Sequence, residues 1–450
     1  MKIVIVGAGE VGTQLSETLS LADHDVTVIE REKARAGAIA DQLDVRTVND
    51  SGSSARALLE AGVKKCDFFL AVTSSDETNL VAASLGKALG AKATFARVHD
   101  ATFRDNSLIN HQKHFGLDHL VNPEALAAVE LAKVIRNPGR VAVEDFGRGK
   151  IEVKCVEVQA GAKVIGQPLQ SMKLPGNFRI GLVSRDGQTH VANANTTLNK
   201  GDNVTLFGHP DALFESQTLF DPSSKSATRI SIVLLGGSEI AISIVRLLGN
   251  PRFRIRIIES DLEICRSLSE SFPNITIIHG EGKSLRVMEE EEVGSADFFV
   301  ACTKDDEVNI MTCLQAKKLG VKHTLLAYTR SDYIEVLSTL KGPLGLELAV
   351  SPRAAATHEV LRYIGEKPFI ELESEGEETN CIIELEIHHR SKVAGKQIRE
   401  IAWPDECVIV GQEHNYVPRM PTGNDTLEAG DSIIAVIGKK KIDELLKLTR

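Results

Sequence analysis

Gly7, Gly9 and Gly12 stand in G-x-G-x-x-G spacing within K-I-V-I-V-G-A-G-E-V-G, and Glu30 closes the V-T-V-I-E that follows. Each residue type suits one task in holding a dinucleotide. Gly7 permits a tight turn after a strand. Gly9, without a side chain, lets the backbone approach a pyrophosphate, and Gly12 lets the next helix pack closely on the strand. That helix offers free N–H groups and a positive dipole end to phosphates, with Ala8, Glu10 and Val11 completing the loop. Glu30 lies near the ~20-residue spacing of the acid that takes a ribose 2′-hydroxyl. A carboxylate there repels a 2′-phosphate, which favours NAD(H) over NADP(H). A glycine triplet alone is weak evidence; between a strand and a helix, with the acid in place, it is specific.

The flanking elements must present these groups on one edge. Ile3–Val6 has strand length and β-branched composition. Helical and extended patterns then alternate: helical over 34–43, 54–61 and 77–89, extended over 45–48, 68–72, 94–98 and 119–121. Asn122 caps and Pro123 opens a helix over 124–135. Such alternation with short connections implies a doubly wound parallel sheet. Its first and fourth strands flank the switch point where ligands bind. Thr73 and Ser74, after the fourth strand, can donate to phosphate or ribose. Arg97, ending the fifth, can reach a phosphate. Asp76 and Asn79 are either ligand contacts or helix caps, and Asp50 either faces an adenine or caps.

The chain has 450 residues, room for three to four domains, with 42% hydrophobic and 25% charged residues, the balance of a globular protein. A net charge of −10 gives no electrostatic reason to expect nucleic acid. No apolar run reaches the ~18 residues of a membrane span, and the chain starts directly on a strand pattern, which points to the cytosol. The 7 cysteines form no C-x-x-C, which fits a reducing compartment, and most read as small buried side chains. His111 and His114 could ligate a metal from one helical turn, but no third ligand accompanies them.

From about Val141 the texture becomes short strands (153–158, 179–184 and 203–207) between turn clusters at 175–177, 185–187 and 200–202. Residues 215–229 are polar and read as a linker. The opening pattern then restarts. Gly7 pairs with Gly236 and Glu30 with Glu259, each 229 positions on. A-V-T-S-S-D-E-T-N recurs as A-C-T-K-D-D-E-V-N, and L-V-N-P-E-A as A-V-S-P-R-A. V-I-G-Q-P-L and L-N-K-G-D recur as V-A-G-K-Q-I and L-E-A-G-D. The chain is therefore an α/β duplication: two Rossmann-like doubly wound parallel-sheet domains, each followed by a small β-rich α+β domain. The expected bounds are 1–138, 139–222, 229–366 and 367–450.

The second loop, Gly236-Gly237-Ser238-Glu239-Ile240-Ala241, is degraded. Ser238 stands where Gly9 does and should crowd a pyrophosphate or hydrogen-bond a phosphate. Ala241 replaces the packing glycine, and Tyr328 falls near the position of Arg97. Glu259 still marks a ribose site. Two functions fit these features. An NAD-dependent dehydrogenase would need acid–base and clamp residues from the first β-rich unit, which offers His190, His209, Lys163 and Arg179 without a recognisable pairing. A ligand sensor needs only differential binding, and a duplicated nucleotide domain suits it better.

The order G-A-G-E-V-G, V-I-E-R, A-V-T-S-S-D-E-T-N, A-R-V, V-N-P and a β-rich domain, all duplicated, resembles the TrkA family of bacterial potassium-uptake regulators. These are tandem RCK (KTN) units, each a Rossmann domain plus a TrkA-C domain. The resemblance covers essentially the whole chain. It implies a cytoplasmic regulator rather than an enzyme, assembled as a homotetrameric ring on the inner face of a TrkH- or TrkG-type potassium transporter. It implies NAD(H), or ATP or ADP, as ligand. Carried over, Gly7 to Val11 are loop contacts, Glu30 takes the ribose, Thr73 and Ser74 are strand-four contacts, and Arg97 takes phosphate. Gly236 to Ile240 and Glu259 hold the matching second positions.

Overall fold

The computed structural model describes all residues except 105–107, 137–144, 147–150, 173–176, 187, 224–228, 250, 331–332, 334–335, 338–344, 365–368, 376–378 and 415–416. The turn positions Pro175, Gly176 and Gly187 and the end of the expected linker, 224–228, lie outside the described residues. The chain forms two compact units. Met1–Ile135 with Arg229–Ile364 make the first, and Arg136–Thr228 with Gly365–Arg450 the second.

The first unit holds both doubly wound sheets. In the first, β1 (Lys2–Val6), β2 (Asp25–Ile29), β3 (Arg46–Val48), β4 (Phe68–Ala71), β5 (Ala93–Arg97) and β6 (His119–Val121) run parallel in the order β3-β2-β1-β4-β5-β6. A parallel sheet is covered on both faces, so its strands are apolar throughout. Alternation along β1 divides them: Ile3 and Ile5 enter one core, Val4 and Val6 the other. The register sets Val6 opposite both Ile29 and Ala71. The loops after β1, β2 and β4 therefore open on one edge. The second sheet repeats this order around Ile230–Leu235, whose Leu235 faces Ile258 and Ala301.

The two Rossmann-like domains exchange their last helices. Helix Pro123–Arg136 of the first copy buries Ala127, Ala128, Leu131, Ala132 and Ile135 in the core beneath Ile232, Leu234, Ile255 and Ile257 of the second. Helix Pro352–Tyr363 of the second copy buries Ala356 and Val360 against Ile3, Ile5, Val26 and Phe95 of the first. Tyr363 reinforces this seat, its ring 4.1 Å from that of His119 and 5.5 Å from Phe95. Each sheet thus has one face covered by a helix from the other half of the chain. Neither domain buries its apolar surface alone.

The second unit pairs two antiparallel five-stranded sheets. Ile151, Val153, Leu182 and Phe207 from one face Ile382, Val410, Ile434 and Val436 from the other. Gly181 and Gly411 allow the close approach, because a Cβ on either would crowd the facing sheet, at 3.2 Å from Val436 and 3.0 Å from Ile151. The stretch expected as a linker begins otherwise: Gln217–Phe220 is a helical turn, and Phe220 is fully buried beside Val158 and Leu213. Its polar composition hid a single apolar anchor.

Candidate functional site

The loop after β1 is built as its spacing requires. Gly7 adopts φ +102°, and its N–H donates to the Ile29 carbonyl at 2.8 Å, which sets the turn. A Cβ on Gly12 would lie 1.9 Å from the Gly7 carbonyl oxygen, so helix Glu10–Leu21 can sit this close only without one. Around Gly9 a Cβ would meet no protein atom within 4 Å, so its bare face looks onto open space. Gly9 is also the N-cap of that helix, and no side chain caps the first turn. The N–H groups and dipole end are left for an anion.

The Glu30 carboxylate is anchored by both oxygens. Oε2 accepts from the Ala8 N–H at 2.7 Å and Oε1 from the Glu32 N–H at 2.8 Å. Each oxygen keeps a lone pair for a ribose hydroxyl. Beside these groups lies a cleft of about 1400 Å³, larger than the roughly 300–1,000 Å³ of most small-molecule sites. Gly7, Ala8, Gly9, Glu10, Val11, Glu30, Thr73, Ser74 and Arg97 all line it. The nine residues expected in the first copy therefore converge.

Five residues singled out from the sequence have roles other than those expected. Val11 is 3% exposed and packs chiefly in the core. The Thr73 N–H and hydroxyl both donate to Asn79 Oδ1, at 2.8 and 2.7 Å, so Thr73 brings shape rather than a free donor. Asn79 and Asp76 are not caps, because Ser75 is, and neither lines the cleft. Asn79 ties the β4 loop to β5. Asp76 accepts from the N–H groups of His99 and Asp100 at 2.9–3.0 Å. Asp50 accepts from the Ser51 N–H at 2.7 Å, and Ser51, Gly52 and Ser53 line the cleft instead.

Arg97 sits at the end of β5 with its Nε buried and without a protein partner. Burial lowers its pKa, opposed by the charges of Glu124 and Asp76, and it remains a cation at neutral pH. A second cation enters from the other copy. Arg353, in the first turn of helix Pro352–Tyr363, lines the cleft together with Thr329, Ser351 and Ala354, and its guanidinium pairs with Glu10. Sequence reasoning missed Arg353, although L-V-N-P-E-A against A-V-S-P-R-A held the signal. At one matched position the repeats carry Glu124 and Arg353, of opposite charge.

The second copy keeps the scaffold and changes the surface. Glu259 accepts from the Gly237 and Asp261 N–H groups at 2.6 and 2.8 Å, as Glu30 does in the first copy. The Ser238 hydroxyl accepts from the Ala241 N–H at 3.5 Å, so the side chain itself caps the helix end where an anion would sit. Ile264 and Leu268 crowd Gly237, where a Cβ would meet them at 2.6 and 2.9 Å. Ile240 is core, and Tyr328 is 8% exposed within an apolar cluster. Burial raises the Glu239 carboxyl pKa; Arg246 lowers it, while Asp100 and Glu124 raise it further. Glu124 itself hydrogen-bonds the His99 ring at 3.0 Å. This neighbourhood carries carboxylates at Glu239, Glu124 and Asp100 where the first cleft has the guanidinium of Arg353.

Other candidates resolve simply. The His111 ring packs on Phe103 and the His114 ring on Phe115. Among the described residues no group of three or more His, Cys, Asp or Glu could hold a metal ion. Cys66, Cys265, Cys302, Cys313 and Cys381 are buried, and burial lifts the Cys66 thiol to about 11. Among the described residues no helix is long and apolar enough to cross a membrane.

The TrkA-N domain model matches residues 3–123 and again 232–352, and the TrkA-C domain model matches 155–218 and 382–450. The chain belongs to the TrkA family. Its TrkA-N matches coincide with the two Rossmann-like folds and its TrkA-C matches with the two small β-rich ones. The chain is 28% identical over 453 residues to "Trk system potassium uptake protein TrkA homolog" of Archaeoglobus fulgidus, covering 100% of both chains. It is 30% identical over 413 residues to "Trk system potassium uptake protein trkA homolog 1" of Methanosarcina mazei, covering 90% of this chain and 99% of the relative. Among solved structures the TrkA-N/TrkA-C arrangement resembles the GsuK channel bound to NAD (TM-score 0.58, 16% identity, covering 100% of this chain and 78% of that one). It also resembles the GsuK RCK domain (TM-score 0.56, 16% identity, 100% and 94%). These likenesses establish the fold.

Proposed function

We propose that the chain is the nucleotide-sensing regulatory subunit of a Trk-type potassium uptake system. NAD(H) is the ligand of the first TrkA-N cleft, with ADP or ATP as the alternative occupants. The observation carrying this reading is the juxtaposition of the open face at Gly9 with the anchored Glu30 carboxylate and the half-buried Arg97 cation. Together they suit a diphosphate joined to a ribose. The printed names of the relatives supply the potassium system, and the NAD- and ADP-bound GsuK structures support the ligand class. In this reading the protein is cytoplasmic, assembles as a homotetramer, and attaches to the membrane through a TrkH- or TrkG-type transporter. Its domains run 1–138, 139–222, 229–366 and 367–450.

Its output is occupancy rather than reaction. The relatives carry the printed name of potassium uptake proteins, which supports a sensor over a dehydrogenase. The exchanged helices give occupancy a route to the rest of the chain, because each joins one copy's cleft edge to the other copy's core. A ligand that binds two arrangements unequally shifts them by that difference, typically ~1–3 kcal/mol.

Titration of the purified chain with NAD⁺, NADH, NADPH, ATP and ADP, following melting temperature and particle size, tests the reading. The expected result is a rise in melting temperature with NAD(H), with a size change and no turnover. Gly9→Asp and Glu30→Arg should abolish the rise. Full shifts in both variants, or steady NADH oxidation with a small metabolite, would overturn it.

A further inference from the structure

We infer that Arg353, supplied by the second TrkA-N copy, is a phosphate-binding residue of the first copy's cleft, and that Glu10 holds it until a nucleotide diphosphate displaces the carboxylate. The inference rests on the nucleotide-binding reading above and adds a residue from the opposite repeat to it.

Three observations support it. Arg353 lines the cleft together with the glycine loop and Arg97, although it belongs to a helix whose own fold is the second domain. Its side chain is 16% exposed, whereas Glu10, its partner, is 67% exposed. The cation is thus fixed by its surroundings and the carboxylate is the mobile member. A guanidinium prefers a bidentate oxyanion of either kind, so a diphosphate at the first helical turn competes with Glu10 for the same donors. Helix exchange gives the third observation. The matched position in the other direction is Glu124, near Glu239, Asp100 and Arg246, and it offers a carboxylate where Arg353 offers a cation. The Arg353/Glu124 difference adds to those at Gly9/Ser238 and Arg97/Ala327 in setting the two clefts apart.

The consequence is that diphosphate occupancy of the first domain bears directly on a helix that buries Ala356 and Val360 in that domain's core and is continuous with the second copy. Ligand binding requires both repeats to be in place, and the Glu10–Arg353 pair is exchanged for a phosphate–Arg353 pair on loading.

The test is calorimetric titration of the full chain with NAD⁺, ADP and adenosine. Arg353→Gln should weaken NAD⁺ and ADP by about ten- to a hundredfold, the loss of a charge-assisted pair, and leave adenosine, which has no phosphate, within twofold. Arg353→Lys should recover part of the loss. Glu10→Gln should tighten NAD⁺ and ADP, because the competitor is removed. Unchanged diphosphate affinity in Arg353→Gln, equal loss of adenosine binding, or weakening in Glu10→Gln would overturn the inference and leave the preceding reading standing. A wild-type chain that binds none of the three ligands would overturn both.

Discussion

Asn79 donates through Nδ2 to the carbonyl oxygen of Arg97 at 2.9 Å, and through the same nitrogen to the Thr73 carbonyl at 3.0 Å. Its Oδ1 takes the Thr73 N–H and hydroxyl, so one fully buried carboxamide fixes both cleft loops against each other. Asn309 repeats the arrangement with Thr303 and Ala327. Asn79→Ala removes four hydrogen bonds and should cost about 2–4 kcal/mol of stability, the scale of a few lost buried pairings. It should also weaken NAD⁺ binding, since the β5 end carrying Arg97 loses its tether. Denaturant unfolding and titration of the same sample check both, whereas Asn309→Ala should lower stability and leave binding nearly unchanged.

Gly9 and Gly12 should separate binding from folding. An alanine methyl at Gly9 meets no protein atom, so stability should change by no more than about 1 kcal/mol, the scale of a cap substitution. Dinucleotide affinity should nevertheless fall at least tenfold, because the methyl occupies the anion's position. An alanine methyl at Gly12 strikes the Gly7 carbonyl oxygen and should destabilise the domain by about 1–3 kcal/mol or more. Melting curves with and without NAD⁺ distinguish the two. A Gly9→Ala variant that bound normally would mean the loop does not approach its ligand closely.

The same glycines explain why so much was legible in the sequence. Their spacing, the β-branched run before them and Glu30 after them are local features, and the 229-residue offset made every landmark count twice. What the sequence concealed was non-local. Nothing in residues 123–136 or 352–363 tells which sheet their apolar faces cover, so the helix exchange could not be read, and Arg353 went unassigned with it. Asn79 and Asp76 have the composition of caps, and only the β5 backbone beside them reveals another task. Phe220 was lost in a polar stretch because one buried ring makes no periodic pattern.

The first TrkA-C domain carries a pH-dependent tie. Asp202 accepts from Arg185 at 2.8 and 2.7 Å and from the Asn199 N–H at 2.7 Å. The Arg185 hydrogen bonds lower the carboxyl pKa, with burial opposing and the Asn199 bond assisting. The folded carboxyl ionises more readily than the unfolded one. Its contribution is therefore fully present above the unfolded value of ~3.9 and fades as pH falls through the lower folded value. Asp202→Asn should cost about 1–2 kcal/mol at pH 7, a modest figure because Arg185 is 40% exposed and partly screened. Unfolding curves of the wild type and variant should converge toward pH 3. A gap independent of pH would assign the loss to packing instead.

Only one dinucleotide should bind per chain. Ser238 caps the helix end, Ile264 closes over Gly237, and uncharged Ala327 stands where Arg97 does, Tyr328 falling one position later. Calorimetry should return a stoichiometry near one, unchanged by Glu259→Ala and abolished by Glu30→Ala. Two equivalent sites would show that the Ser238 cap yields readily to an anion.

Leu131 offers the sharpest check on the exchanged helices. It belongs to the first half of the sequence, yet its fully buried side chain lies in the core beneath Ile232, Leu234 and Ile257. Leu131→Ala removes three carbons from that core and should cost about 2–5 kcal/mol. Hydrogen exchange locates the loss. Amides of Ile230–Leu235 should lose protection, while those of β1 should change less, although β1 belongs to the same repeat as Leu131. Val360→Ala should do the reverse, deprotecting β1 from a position in the second half of the chain. If each substitution instead loosened the sheet of its own repeat, the helices would be packing at home, and Arg353 would have no means of reaching the first cleft.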